Sequence, residues 1–182
     1  MIGFTIPHRQ INYAARWQLS QLAVVTAALI VAAVALPWLM RQIGMAGPNF
    51  LAMQLPVLLA GMLFGPLVGL TTGLLAPLVS QALSGLPPLA ALALLIPELA
   101  AYGLVAGLAH HSLLLRPWVA LLVAMIAGRA VLALAAALLA PAPVSVVMAR
   151  AILAGWPGIF AQLLIIPPLV VACQGYLNRN DA

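Results

Sequence analysis

Lysine is absent from this sequence and acid is nearly so: Glu98 and Asp181 are the two carboxylates in 182 residues. Charged residues make up 5% of the chain, against about a quarter in an ordinary soluble domain. A chain so poor in charge cannot cover a water-exposed surface, so lipid must be its main solvent. The shortage of acids also excludes paired-carboxylate and two-metal chemistry. Cys173 is the single cysteine, which rules out an internal disulfide, and it reads as a small apolar core residue. The histidines are His8, His110 and His111, with no acid near them to complete a metal site. The adjacent pair reads as an interfacial turn. No Gly-rich phosphate loop followed by Lys and Ser or Thr occurs, so ATP is not bound by that route. The expectation is a chain with no catalytic residue, no metal and no cofactor of its own.

What is present is hydrophobic: 66% of residues are apolar and the mean hydropathy is +1.20. A bilayer-crossing helix needs roughly 20 apolar residues, so the length allows about six with short loops. The expected fold is an all-α membrane protein, one transmembrane domain over residues 1–182, with spans near 19–40, 50–64, 67–83, 90–109, 118–139 and 159–176. Gly65-Pro66 and the turn Ser84-Gly85-Leu86-Pro87-Pro88 punctuate the chain. Residues 144–154 read as a separate short helix lying at the membrane surface or dipping in, cut off by Gly155-Trp156-Pro157-Gly158. The first apolar stretch follows Arg9 and Arg16 and contains Ala33-Val34-Ala35, as a secretory leader does. Its length of about 22 residues suits a retained span better.

The net charge of +5 and a pI near 10.8 come from scattered arginines. They form no basic stripe, so nucleic acid is not an expected partner. Arg9, Arg16, Arg116 and Arg179 on one side against Arg41 and Arg150 on the other predict both termini in the cytoplasm. The segments 41–49, 84–89 and 140–157 then face outward.

Gly61, Gly65, Gly69 and Gly73 recur every four residues, and Gly103 and Gly107 repeat the spacing. Small residues at this interval allow close approach of helix backbones. Ala23 and Ala27 form a similar pair on the first span.

Two charges fall inside predicted spans, Glu98 and Arg129. An ionisable group at the centre of a membrane helix costs roughly 2.5–3.5 kcal/mol on insertion scales, so it faces a bundle interior or a wet cavity. The two spans are consecutive and antiparallel, which sets the charges at comparable depth. They either line an outward-facing pocket for a polar solute or form an ion pair that locks the helices; the two readings are compatible. Asn49, Gln54, Gln81, Tyr102 and Gln162 fall toward the same leaflet and complete the candidate substrate site.

The run from Leu55 through Gly61 to Phe64-Gly65-Pro66-Leu67-Val68-Gly69, then Gly73, Pro77, Ser84-Gly85-Leu86-Pro87 and Pro97-Glu98-Leu99-Ala100-Ala101-Tyr102-Gly103, resembles the substrate-binding S component of energy-coupling-factor (ECF) vitamin transporters. Ala127-Gly128-Arg129 and Pro157-Gly158-Ile159 through Gln162 are similar too, and the resemblance covers roughly residues 19–176. It implies a six-helix protein of the bacterial or archaeal cytoplasmic membrane that binds a water-soluble vitamin or related micronutrient from outside. It further implies docking on a membrane coupling subunit served by two cytoplasmic ATPases, which use the ATP, and matches Ala23 and Ala27 to the family's small-residue contact with that subunit. Metal-transporting relatives carry a histidine directly after the initiator; Met1-Ile2-Gly3 here argues against nickel or cobalt. A different class of protein fits the same hydropathy: a non-transporting structural subunit of a membrane complex such as cell-shape machinery, in which Glu98 and Arg129 would be a lock alone.

Overall fold

The computed structural model describes residues 19–42 and 50–180. Six helices account for nearly all of them: α1 Leu19–Gln42, α2 Phe50–Phe64, α3 Pro66–Ser84, α4 Leu89–Gly107, α5 Pro117–Leu139 and α6 Val144–Asn180. A π turn, Leu108–Ser112, prolongs α4. Five stretches are long and apolar enough to cross a bilayer: Ser20–Met40, Pro66–Ser84, Leu89–Ser112, Pro117–Leu139 and Gly155–Gly175. The remaining helix, α2, has 15 residues, about 22 Å at 1.5 Å per residue, which is less than the ~30 Å hydrocarbon core. Its position explains how it can be short. It lies against α1, α3, α4 and α6, with Met53, Val57, Leu58 and Met62 at 2% exposure or less, so protein rather than lipid surrounds it.

The outside of the bundle is as apolar as the inside. Leu67, Leu83, Leu138 and Leu164 are each more than 70% exposed. In water such a surface would aggregate; in a bilayer it is the matching solvent.

Gly65 makes the reversal between α2 and α3. Its φ of 99° and ψ of 174° suit only glycine, and Pro66, which needs no N–H bond, starts α3. The four-residue glycine repeat therefore does not run along one straight helix. The chain folds back at Gly65, so Gly61 on α2 and Gly69 on α3 face each other, and both abut Gly103 on α4. A β-carbon on Gly69 would stand 2.7 Å from the Gly61 Cα and 2.6 Å from the Gly103 carbonyl carbon. Gly73 lies on the Leu99 backbone in the same way, and Gly107 on Gly65 and Pro66. Contacts 69 to 103 and 73 to 99 show that α3 and α4 run antiparallel. At the other end, Gly85 closes α3 in the left-handed region, its N–H bonded to the Gln81 carbonyl at 2.8 Å.

α2 and α4 lie centrally. α1 and α3 flank them on one side, α5 and α6 on the other. The π turn, the Gly65-Pro66 reversal and Gln174 of α6 meet at one end of the bundle. Gln42 and Ser84 share a cavity at the other.

One expected break is missing. Residues 144–180 form a single helix of 37 residues, passing through Gly155, Pro157, Pro167 and Pro168. A proline removes one N–H and crowds the carbonyl four residues back. In lipid, leaving the helix would expose many more unpaired backbone groups, so membrane helices tolerate prolines. The separate short helix over 144–154 is therefore corrected to the first three turns of α6.

Candidate substrate site: a buried polar layer

Glu98 and Arg129 are in direct contact: Arg129 Nη1 stands 3.0 Å from Glu98 Oε1, with side-chain exposures of 19% and 5%. The Tyr102 hydroxyl donates to the same Oε1 at 3.0 Å. Tyr102 is one turn from Glu98 on α4, the spacing that puts two side chains on one helix face. Gly128 on α5 makes room for it, because a β-carbon there would overlap the Tyr102 ring. The residue before Arg129 is thus what lets α5 come close enough for the ion pair. A charge-assisted bond of this kind offsets the cost of burying either group alone.

A second polar pair joins α2 to α6. Gln162 Nε2 donates to Gln54 Oε1 at 2.9 Å, and the two side chains are 1% and 3% exposed. Both pairs lie at one depth. Gly61 on α2 faces Gly103–Gly107 on α4; two turns back along these parallel helices are Gln54 and the neighbourhood of Glu98. Helices α2, α4, α5 and α6 thus each contribute one or two polar side chains to a single layer inside a mainly apolar bundle.

Gln81 does not share this layer. Gln81 is half-buried on α3, about two turns, or roughly 11 Å, beyond the level at which Gly73 meets Leu99. It therefore lies nearer the Gly85 turn than the Glu98 layer. Asn49 lies outside the described residues. Ala23 and Ala27 are exposed on α1, beside exposed Val24 and Ala28. A cavity of about 750 Å³ opens between α1 and α3, lined by Val31, Val34, Ala35, Trp38, Gln42, Val79, Leu83 and Ser84. Its size is that of a ligand pocket. However, Val31, Trp38 and Leu83 are 65%, 55% and 75% exposed, so it opens sideways toward the bilayer. It also lies on the flank of α2 and α4 opposite to Arg129.

The histidine pair lies in the π turn that ends α4. His110 is fully buried. Its Nδ1 bonds the Leu115 carbonyl at 2.9 Å and its Nε2 faces Gln174 Nε2 at 2.8 Å. The consistent arrangement is a neutral ring, with Nδ1–H donating to Leu115 and Nε2 accepting from Gln174. His111 Nε2 donates to the Met62 carbonyl at 2.9 Å. The pair ties α2, α6 and the connection leading into α5 to the end of α4. The sequence signal for this role is Gln174, a polar residue within the last apolar span. Among the described residues, no group of three or more His, Cys, Asp or Glu side chains is placed to hold a metal.

A family model described as "ECF transporter, substrate-specific component" matches residues 19–170. No curated protein and no solved structure matches the chain.

Proposed function

The chain belongs to the family of ECF transporter substrate-specific components, and from that premise we propose that it captures a water-soluble vitamin or related micronutrient from outside for ATP-driven uptake. Membership makes it a multi-pass specificity subunit rather than an enzyme, associated with coupling and ATPase partners. The finer reading is that the polar layer is where the solute is held.

The observation that carries this reading is the Glu98–Arg129 contact at 3.0 Å, with Arg129 still 19% exposed. An arginine left partly exposed, with one close contact, keeps N–H donors for something else. Gln54, Gln162 and Tyr102 stand at or near the same depth. A few oriented polar groups within apolar walls are what a small-solute site needs. Binding here is a capture step, with no bond made or broken in the solute. In this scheme both termini are cytoplasmic, the membrane is the bacterial or archaeal cytoplasmic membrane, and ATP is consumed by the partners alone. The exposed face of Ala23 and Ala27 meets the coupling subunit, because small side chains let a partner helix approach closely.

The test is titration calorimetry of the purified protein against a panel of vitamins, with Arg129→Ala in parallel. One ligand should bind the native protein and bind the variant at least tenfold more weakly. Equal binding by both proteins removes the layer as the site.

A further inference from the structure

We propose that the layer around Arg129 takes solutes that present carbonyl or carboxylate oxygens and turns away organic cations; this rests on the importer reading above and narrows its substrate class. A guanidinium carries five N–H donors and no acceptor. Among the described residues Arg129 makes one close polar contact, through Nη1 to Glu98. It is also the more exposed member of the pair, at 19% against 5%. Gln54, at the same depth on α2, spends its Oε1 on Gln162, which leaves its amide nitrogen with donor hydrogens. Glu98 Oε1 already serves both Tyr102 and Arg129. What the guanidinium offers is N–H, and the complement of N–H is an oxygen or ring-nitrogen lone pair.

Charge points the same way. The sequence contains two acids, Glu98 and Asp181. The first is neutralised by Arg129, and the second follows Asn180, the last residue of α6, in the sequence. A cation taken out of water needs an anion that is not already paired, and the layer has none to give. A carboxylate can use the guanidinium edge that Glu98 leaves free, with two parallel N–H···O bonds. A neutral carbonyl makes the same contacts without adding charge.

Three classes of probe separate the outcomes: carboxylates (nicotinate, pantothenate, biotin), neutral analogues that keep an acceptor (nicotinamide, pantothenol, biotinamide), and cations (thiamin, 3-(aminomethyl)pyridine). Each is equilibrated with the full chain in lipid nanodiscs, and bound probe is measured by mass spectrometry. At least one carboxylate or neutral probe should be retained tenfold or more over every cation. That retention should vanish in the double variant Glu98→Gln, Arg129→Gln, which strands neither charge; gel filtration and circular dichroism establish its fold. Should that variant fail to fold, Arg129→Lys keeps the charge without the fork and should lose at least tenfold. Preference for a carboxylate over its neutral analogue assigns the oxygen to an anion, and equal retention assigns it to a carbonyl; either supports the proposal. Retention of a cation overturns it while the importer reading stands. Retention unchanged in the variants overturns the assignment to Arg129. Failure of all three classes to bind overturns the importer reading and this inference with it.

Discussion

Gly103 of α4 rests backbone to backbone on Gly69 of α3: a β-carbon on Gly69 would stand 2.6 Å from the Gly103 carbonyl carbon. Membrane helices gain little from the hydrophobic effect among themselves, so close van der Waals packing of this kind is what holds them together. The three-way meeting of Gly61, Gly69 and Gly103 fixes the height of α2 and α3 against α4, and with it the depth of Gln54 relative to Glu98.

Gly69→Ala should therefore destabilise the protein by about 1–3 kcal/mol, the usual range for overpacking. Thermal unfolding in nanodiscs reads this as a lowered midpoint. Gly175→Ala is the control, because a β-carbon there meets nothing within 4 Å, and its midpoint should not fall.

Breaking the ion pair from one side leaves the partner buried and unpaired. Glu98→Gln alone or Arg129→Gln alone should each cost about 3–5 kcal/mol, and the double variant distinctly less than their sum. A thermodynamic cycle of unfolding measurements on the four proteins checks this. Additive costs would mean that the two side chains do not interact.

Gln54→Ala and Gln162→Ala remove the α2–α6 bond. Interhelical hydrogen bonds in membranes are worth about 0.6 kcal/mol on average, reaching about 1.7. Each substitution should stay near that range, well below the ion-pair variants. The same unfolding assay ranks them.

His110→Phe keeps the volume but loses both ring bonds, leaving the Leu115 carbonyl and the Gln174 amide without their partner. The expected cost is about 1–3 kcal/mol. Solute binding at the distant layer should persist in the folded fraction, which equilibrium binding can establish.

Ala23→Leu with Ala27→Leu fills the exposed small-residue face of α1 without touching the bundle. Solute binding by the isolated subunit should be unchanged, and co-purification with the coupling and ATPase partners should fall severalfold. Loss of solute binding instead would place those alanines in the fold rather than in the contact.

Much of this architecture was legible in the sequence, for identifiable reasons. Apolar runs of bilayer length and the turn at Ser84–Pro88 marked α1, α3, α4 and α5 to within a few residues. Glu98 and Arg129 could be paired because intramembrane charges on consecutive helices have few alternatives. The glycine spacing showed that backbones come close, but not that Gly65 folds the repeat back on itself, which depends on a single positive φ. The prolines of α6 were misleading, because in lipid the drive to pair backbone groups outweighs one missing N–H. The buried role of His110 was hidden as well: its partners, Leu115 and Gln174, are brought to it by a π turn and by a helix 64 residues further along. Gln81 fell out of the layer because the 73-to-99 contact sets the register of α3 against α4.

The central claim is that the layer holding Glu98 and Arg129 binds a small solute. The most direct measurement is mass spectrometry of whatever is released from the purified native protein and from the folded Glu98→Gln, Arg129→Gln variant, prepared side by side. The account predicts one polar solute in near-stoichiometric amount from the native protein and none from the variant. The same solute recovered equally from both, or lipid alone from both, would contradict it.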